Sequence, residues 1–273
     1  MCNHQSFLLA FHARSHDNPG VRQTIASVTA IESMGHCVRV RLFAPEVAAM
    51  LEPGRPVLAQ DRQAYLRRTW WPCAIHSDGF SILLRTPPRQ MREGDDIDVL
   101  GPIGRGFQID GPARSLLMVS AGSHAPDPDL GPLLALVEPA LAEQRSVTLA
   151  YAAPDADEAY PVSALPPAIE VIRADPAHLI NLLSDAIGWA DQVFVCGPME
   201  FVGRLAMHIG STRFPVPRSF LQVLTPVSLP CGTGVCHACW IGNRQACVSG
   251  PVFAWTPALL RTDRRSRHDR TSP

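Results

Sequence analysis

The chain has 273 residues, of which 46% are hydrophobic and 18% are charged, and its formal net charge is −1. These proportions are typical of a folded protein rather than a disordered one, and the length allows two domains with a small third. A charge so close to neutral gives no overall field for nucleic acid or an anionic membrane, so neither is expected as a partner.

The amino-terminal segment contains a short apolar run at residues 7–11. No basic segment precedes this run and no small-residue cleavage site follows it, so a secretory signal peptide is not indicated. No stretch of the sequence approaches the ~20 apolar residues that a membrane-spanning helix needs. The sequence therefore predicts a cytoplasmic protein, in which thiols stay reduced or bind metal.

Residues 1–110 are predicted to form an antiparallel β-barrel. Short strand-like runs follow one another here, separated by turn signals such as Pro-Gly, Asp-Gly and Glu-Gly. The predicted strands lie at residues 36–44, 54–60, 80–85 and 94–101.

Residues 111–212 have a different period, in which continuous apolar runs alternate with helical patterns. This alternation predicts a doubly wound parallel α/β sheet covered on both faces. The predicted strands lie at 115–122, 146–153, 168–175 and 192–199, and the predicted helices at 131–144, 176–190 and 200–210. Residues 213–257 are predicted to form a small third domain, and the polar, basic residues 258–273 a disordered tail.

Four of the eight cysteines lie close together, as Cys231, Cys236, Cys239 and Cys247. The C-x4-C-x2-C spacing with a later fourth cysteine is the plant-type arrangement for a 2Fe–2S cluster. The residues between them are mostly small, so backbone N–H groups can turn toward the sulfurs and stabilise their negative charge. A zinc ion held by four thiolates and a pair of disulfide bonds remain alternative interpretations.

The segment "CGTGVCHAC", followed by "CVSGPVF", resembles the C-terminal cluster domain of the electron-transfer subunit of class 1B dihydroorotate dehydrogenase. The resemblance extends over roughly residues 36–257 and belongs to the wider ferredoxin–NADP reductase-like superfamily. It implies an α/β plus β fold: a flavin-type antiparallel β-barrel, a doubly wound nucleotide-type α/β domain and a small C-terminal 2Fe–2S domain. The matching positions are Cys231, Gly232, Gly234, Cys236, Cys239, Cys247, Gly250, Pro251, Val252 and Phe253.

The resemblance implies FAD on the barrel. "LRRTWW" is similar to the family's arginine-rich strand, so Arg67 and Arg68 are candidates to pair with a flavin pyrophosphate through their forked donors. Trp70 or Trp71 is a candidate to stack on the isoalloxazine ring, and packing inside the barrel is the alternative for both side chains.

A glycine-rich turn adds two further FAD-site candidates, Gly101 and Gly104. Both lie in "GPIGRGF", which matches the family's turn at the end of the barrel. The family's phosphate-binding Gly-x-Gly-Thr turn has no counterpart in the corresponding stretch here, "RTPPRQMREGDD".

The nicotinamide site that the resemblance implies lies in the α/β domain. "VFVCGPM" resembles the superfamily's Cys-Gly-Pro strand end, where α/β sheets bind ligands. Of the family's glycine-rich phosphate loop, only Gly122 is present, and Asp127 and Asp129 bring negative charge toward a dianionic ligand, with His124 as a potential offset. The candidate NAD-binding residues are Gly122, Cys196, Gly197 and Pro198.

By the same resemblance, an FMN-containing dihydroorotate dehydrogenase subunit is the partner, in a hetero-oligomer. Electrons are expected to pass through the 2Fe–2S cluster and FAD of this chain to NAD, with no catalytic residue for the pyrimidine chemistry here. One alternative is an electron-transfer subunit for a ferredoxin- or hydrogenase-linked oxidoreductase. Another is a cluster-bearing scaffold that has lost FAD and NAD, which the altered stretches 85–96 and 123–131 favour.

Overall fold

The computed structural model describes residues 20–35, 37–61, 64–85, 91–122, 130–153 and 160–260. A nearly closed antiparallel sheet is followed by an α/β sheet, which confirms these two parts of the predicted fold. Within the described residues, no helix combines the length and apolar character needed to cross a bilayer.

Seven strands and one short helix form the barrel. They are β1 (Arg22–Met34), β2 (Cys37–Phe43), α1 (Pro45–Ala48), β3 (Val57–Gln60), β4 (Arg68–Trp70), β5 (Pro72–His76), β6 (Gly79–Leu84) and β7 (Asp96–Gly101). The strand order is β4-β3-β7-β1-β2-β6-β5 and all neighbours are antiparallel. Trp71 alone separates the two edge strands along the chain, so the sheet nearly closes around a core that contains Val40, Leu42, Phe80 and Ile82.

The sequence prediction, which begins at residue 36, misses strand β1. The inward side chains of β1 include the small residues Ala26 and Val28, whereas Ile25 is 60% exposed, so apolar alternation is weak. The strand is held instead by its partners, because it pairs with both β2 and β7 in the middle of the sheet. A bulge between Val28 and Ala30 disturbs the period-two pattern further.

The second sheet has the predicted βα alternation. Its elements up to residue 224 are β8 (Ser115–Ser120), α2 (Gly131–Ala142), β9 (Ser146–Ala152), β10 (Glu170–Ala174), α3 (Ser184–Trp189), β11 (Gln192–Cys196), α4 (Met199–Thr212) and β12 (Leu221–Leu224), with 3₁₀ turns at Val162–Ala164 and Leu179–Leu183. These five strands are parallel. Alternate residues of β8 point to opposite faces, Leu116 and Met118 toward α2 and Leu117 and Val119 toward α3 and α4, so helices cover both sides.

The segment after residue 212 is not separate from this sheet. It contains β13 (Trp240–Ile241), β14 (Arg244–Gln245), α5 (Ala246–Ser249), β15 (Val252–Ala254) and a 3₁₀ turn at Pro257–Leu260. β12 and β15 pair antiparallel, giving the sheet order β10-β9-β8-β11-β12-β15, so the cysteine segment is an insertion between two sheet strands.

The start of the predicted tail needs correction. Residues 258–260 are ordered in the 3₁₀ turn, because Leu259 is only 4% exposed and packs with Ile241 and Cys247. Residues 261–273 lie outside the described part of the chain.

Two buried glutamines form hydrogen bonds with the backbone of the linker between the two sheets, at residues 108 and 110. Gln192, which is fully buried, accepts a hydrogen bond from the Asp110 N–H (3.0 Å) and donates to the carbonyls of Gln108 (2.9 Å) and Ser219 (3.2 Å). Gln222 accepts from the Gln108 N–H at 2.9 Å and donates to the Gln108 carbonyl at 2.5 Å. Backbone groups of the linker that would otherwise be buried unpaired are therefore satisfied by side chains.

We expect Gln192→Leu to lower the free energy of unfolding by about 3 kcal/mol, because it leaves several backbone groups without their hydrogen-bond partner. Urea unfolding measures this effect. Gln108→Leu is the matched control, because the Gln108 side chain is exposed and its backbone bonds survive the substitution. Equal stability of the two variants would show that the glutamine contacts do not hold the domains together.

Candidate cofactor sites

The cysteine segment is a tight loop packed against the barrel. Gly232 and Gly234 adopt the left-handed conformation, with φ of 66° and 85°. A Cβ atom on Gly232 would lie 2.9 Å from the side chains of both Leu58 and Ile103, so the barrel surface leaves no space for a larger residue. The glycines therefore let the loop turn sharply while it lies on the barrel.

The structure brings the four predicted metal ligands together as two pairs. The Sγ atoms of Cys239 and Cys247 are 3.2 Å apart and both residues are buried. Cys231 and Cys236 form the second pair, in which the Cys236 N–H donates to the Cys231 Sγ at 3.5 Å. Two thiolates on one tetrahedral metal ion, each about 2.3 Å from it, are about 3.8 Å apart, so the Sγ atoms of the first pair lie closer together than two ligands of one ion.

The environment of the four thiols differs from pair to pair. Burial opposes ionisation of Cys231, but hydrogen bonds from Cys236 and Thr233 outweigh it and lower the pKa of the Cys231 thiol to about 6. Burial and the neighbouring Cys239 thiol raise the pKa of Cys247 to about 12. Backbone N–H groups thus already favour a thiolate at one end of the loop, as metal–sulfur sites require.

The four cysteines match a sulfur-ligated metal centre in donor type, and the structure places them in contact only pair by pair. In the described part of the chain, no three cysteine, histidine or carboxylate side chains converge as ligands of a single ion. The seven described cysteines form no disulfide bonds. Four cysteines in one loop, with backbone N–H groups donating to the sulfurs of Cys231 and Cys239, are the donor type that a 2Fe–2S cluster takes.

The glycine turn at the end of the barrel contacts the chain just beyond the cysteine loop. Gly104 has a φ of 66°, and a Cβ atom there would lie 1.9 Å from the Gly250 carbonyl oxygen. The Arg105 N–H donates to that same oxygen at 2.5 Å. At Gly101 a Cβ atom would lie 2.8 Å from the Val57 side chain. Close packing within the protein therefore accounts for both glycines.

The two candidate arginines have different environments. The Arg67 guanidinium forms an ion pair with Asp98, with Nη2 and Nε 2.7 and 2.9 Å from the same carboxylate oxygen, and Gln23 donates to the other oxygen at 2.6 Å. Arg68 follows on strand β4 and is exposed. Of the two guanidinium groups, Arg68 is the more accessible to a ligand.

Both tryptophans pack in the protein interior. Trp70 is 4% exposed and lies in the barrel core, and Trp71 is 8% exposed and packs between the barrel and helix α2 with Leu133 and Cys73. Packing was the alternative that the sequence left open for these side chains, and both are buried here.

The candidate nicotinamide residues meet at one edge of the α/β sheet. Gly122 lies just after β8, Cys196 ends β11, the adjacent parallel strand, and Gly197 and Pro198 directly follow β11. The chain runs from β8 toward β10 on one side and from β11 toward β12 on the other, so this is the topological switch point where such sheets bind ligands. His124, Asp127 and Asp129 lie outside the described residues.

Close backbone contacts at this edge explain two of the glycines. A Cβ atom on Gly197 would lie 2.4 Å from the Cβ of Ala121, and one on Gly122 would lie 2.3 Å from the Ala152 carbonyl oxygen. Cys196 is completely buried. Close packing within the protein therefore leaves no space for a side chain at either glycine.

Thr225 is a candidate that the sequence analysis misses. It directly follows β12, whose last residue, Leu224, accepts a hydrogen bond from the Gly197 N–H at 3.1 Å. The Thr225 Oγ1 is buried and has no hydrogen-bond partner among the described residues. A buried hydroxyl without a partner next to the switch point suits a polar group of a bound ligand. Only the strand order could have revealed it, because no motif marks this residue.

The chain is similar in sequence to curated proteins that are named as electron transfer subunits of dihydroorotate dehydrogenase B. No protein-family model matches the chain. The probable dihydroorotate dehydrogenase B electron transfer subunit of Methanothermobacter thermautotrophicus is 28% identical over 194 residues, 66% of this chain and 66% of the relative. The corresponding subunit of Desulforamulus reducens is 25% identical over 242 residues, 77% of this chain and 87% of the relative. That of Thermoplasma volcanium is 26% identical, and 61% of its length is covered. The chain thus spans about two thirds of the first relatives that it matches.

Solved structures show the same fold at low identity. An NADH-dependent reduced ferredoxin-NADP oxidoreductase has a TM-score of 0.68 at 18% identity, covering 84% of this chain and 88% of that one. A cytochrome P450 reductase from Amycolatopsis has a TM-score of 0.59 at 19% identity, covering 76% and 71%. The resemblance found in the sequence is confirmed: the chain is a homologue of dihydroorotate dehydrogenase B electron transfer subunits and has a ferredoxin–NADP reductase-like fold.

Proposed function

We propose that this chain is the electron-transfer subunit of an oxidoreductase complex whose catalytic partner is a dihydroorotate dehydrogenase. The observation that carries the proposal is the gathering of four cysteines in one loop that packs against the barrel, with contacts between Cys231 and Cys236 and between Cys239 and Cys247. The names of the curated relatives support the choice of partner.

Cys231, Cys236, Cys239 and Cys247 would hold a 2Fe–2S cluster. When bound, the cluster would supply one-electron transfer, which suits exchange between cofactors that each handle two electrons. Barrel residues Leu58 and Ile103 fix the loop, and the backbone N–H groups of Cys236 and Cys247, each 3.5 Å from a sulfur, stabilise thiolate charge.

FAD and NAD are the further cofactors of this proposal. Arg68 at the barrel and the edge formed by Gly122 and Cys196–Pro198 are the groups available to bind them. An exposed guanidinium pairs well with pyrophosphate, and a sheet edge at a switch point admits a nicotinamide. We assign no general acid or base to this chain, because the substrate chemistry belongs to the partner.

The test is reconstitution with the FMN-containing dihydroorotate dehydrogenase subunit encoded by the same genome. We expect a stable complex in which dihydroorotate oxidation reduces NAD⁺, while the catalytic subunit alone does not reduce NAD⁺. No complex, or equal NAD⁺ reduction with and without this chain, would overturn the proposal.

A second candidate is a cluster-bearing scaffold without flavin. The environments of two candidate FAD residues favour it. Arg67 is engaged by Asp98, and Trp70 is buried, so neither is presented to a flavin. Flavin extraction separates the candidates: bound FAD supports the electron-transfer subunit, and a complex with iron but no flavin supports the scaffold. A hydrogenase- or ferredoxin-linked subunit would carry flavin but would not bind dihydroorotate dehydrogenase.

Thr225→Val should weaken NADH binding about fivefold, since it removes one hydrogen bond while preserving shape. Fluorescence titration of the flavin-loaded complex measures the Kd directly. Thr225→Ser keeps the hydroxyl and should bind NADH like the original protein. If the valine variant also binds with unchanged Kd, Thr225 does not contact the nicotinamide.

A further inference from the structure

Helices α3 and α4 form the outer layer of the α/β domain on one side of its sheet. The barrel lies on the other side, where Trp71 and Cys73 pack with helix α2. The core beneath α3 and α4 contains no side chain of the described barrel strands. The outward surface of these two helices therefore points away from the barrel, and we call it the outer face.

Two hydrogen bonds hold the two helices side by side. The Ser184 Oγ and His208 Nε2 atoms are 3.0 Å apart, which places the start of α3 beside the second half of α4. Arg213, the residue after α4, donates from Nη1 to the Ala190 carbonyl at 2.5 Å, directly beyond the end of α3. The outer face is therefore continuous across both helices, and their carboxyl ends lie together.

Large hydrophobic side chains are exposed on the outer face. Trp189 is 80% exposed at the end of α3, and Phe214 is 93% exposed two residues after α4. Each is next in sequence to a partner of the hydrogen bond that joins the ends of the helices, so both aromatic side chains lie at that end. Leu182 and Met207 are 56% and 70% exposed. A group of exposed apolar side chains is typical of an interaction site.

The outer face also carries charges of both signs. Asp185 adjoins Ser184 on α3, and Arg204 lies one turn before His208 on α4, so the two charges flank the contact between the helices. Both side chains are exposed, and neither forms an ion pair with another described residue. Glu200, also exposed, lies a further turn toward the start of α4. The middle of the face thus has an acid on α3 and a base on α4.

We propose that the outer face is the interface of a homodimer, in which a second copy of this chain binds to the same surface about a two-fold axis. In such an interface each surface must complement itself. Rotation by 180° sets α3 of each copy against α4 of the other, so Asp185 of each chain faces the partner's Arg204. Apolar side chains surround these ion pairs, and tryptophan, phenylalanine, methionine and arginine are the residues enriched at protein interfaces.

The charges favour a second copy over a membrane as the occupant of this face. An anionic membrane surface attracts basic segments, whereas the outer face has both signs. The barrel, and the cysteine segment that packs against Leu58 and Ile103, lie outside this interface. The homodimer is therefore independent of the proposed partner and cofactors.

Charge reversal tests the pairing across the two-fold axis. In analytical ultracentrifugation of the full chain, we expect the mass to rise with concentration to twice that of a single chain. Asp185→Arg would bring arginines face to face and Arg204→Asp would bring carboxylates face to face, so each should raise the dimer Kd at least about tenfold. A chain with both substitutions has opposite charges across the axis again, and its Kd should return to within about threefold of the original.

Loss of either aromatic side chain tests the apolar part of the interface. Trp189→Ser and Phe214→Ser should each raise the dimer Kd at least about tenfold, because each removes an aromatic anchor. Trp240→Ser is the matched control, since Trp240 is 50% exposed on the cysteine segment. Arg244→Asp is the control for the arginine reversal, because Arg244 is exposed on the same segment. Both controls should dimerise within about twofold of the original chain, as expected for residues outside an interface.

The outcomes separate the homodimer from the proposed function. An original chain that stays monomeric at every concentration overturns the interface, as it would if a different protein covered the outer face. A dimer that survives both charge reversals, or one that the double substitution fails to restore, overturns it as well. None of these results changes the proposed function, because the measurement uses this chain without a catalytic subunit.

Discussion

Replacing Cys236 with serine should abolish the iron–sulfur absorption and reduce bound iron to background, while the protein stays folded. Cys231 and Cys236 are the more accessible half of the proposed ligand set, since Cys239 and Cys247 are buried. Cys236 is exposed, and its replacement disturbs no buried contact. Visible absorption and iron analysis after anaerobic purification report the loss, and circular dichroism reports the fold.

Cys37→Ser is the control for that experiment, since Cys37 is a partly buried barrel cysteine outside the loop. Its iron content should equal that of the original protein. Full iron retention in the Cys236 variant would remove this residue from the ligand set, and iron loss in both variants would point to a general effect of cysteine replacement.

Gly104→Ala should destabilise the chain by about 4 kcal/mol and lower its Tm by about 10 °C. The new methyl group would meet the Gly250 carbonyl oxygen at 1.9 Å, and the backbone would be held at a φ of 66°. Because Gly250 follows Cys247 by three residues, displacement of this contact should also reduce iron retention. Thermal unfolding and iron analysis on the same preparation measure both consequences.

Substitutions at two other glycines separate the cost of the left-handed backbone conformation from the cost of the steric contact. Gly94 has a φ of 88° with open space around its Cβ position, so Gly94→Ala should cost about 1–2 kcal/mol from the backbone alone. Gly111 has neither constraint, and Gly111→Ala should stay within about 0.5 kcal/mol of the original stability. If Gly104→Ala were no worse than Gly94→Ala, the contact between the barrel and the cysteine segment would not be rigid.

The parts of the fold that the sequence predicted are those with a local signal. The βα alternation after residue 111 depends on continuous apolar runs such as β11, and these are readable because both faces of the sheet are buried. Strand β1 lacks such a run and is held by partners distant in sequence. The junction of β12 with β15 encloses the cysteine segment, and no local pattern encodes that pairing.

The candidate sites also differ in whether their signal is local in the sequence or depends on contacts between distant residues. Cysteine spacing is a local property, and the structure brings the four residues together in one loop, with the Sγ atoms of Cys239 and Cys247 in contact and the Cys236 N–H donating to the Cys231 Sγ. The environment of Arg67 depends on Asp98, which lies 31 positions away and approaches only through barrel pairing. Gly104 matches a motif, yet its neighbour is the Gly250 carbonyl, a contact that the sequence could not reveal.

The most direct test of the central claim is the iron, acid-labile sulfide and zinc content of the anaerobically purified chain. We predict about two irons and two sulfides per chain, with an electron paramagnetic resonance signal after one-electron reduction. One zinc per chain without sulfide, or no metal at all, would contradict the assignment of the four thiols to a redox cluster.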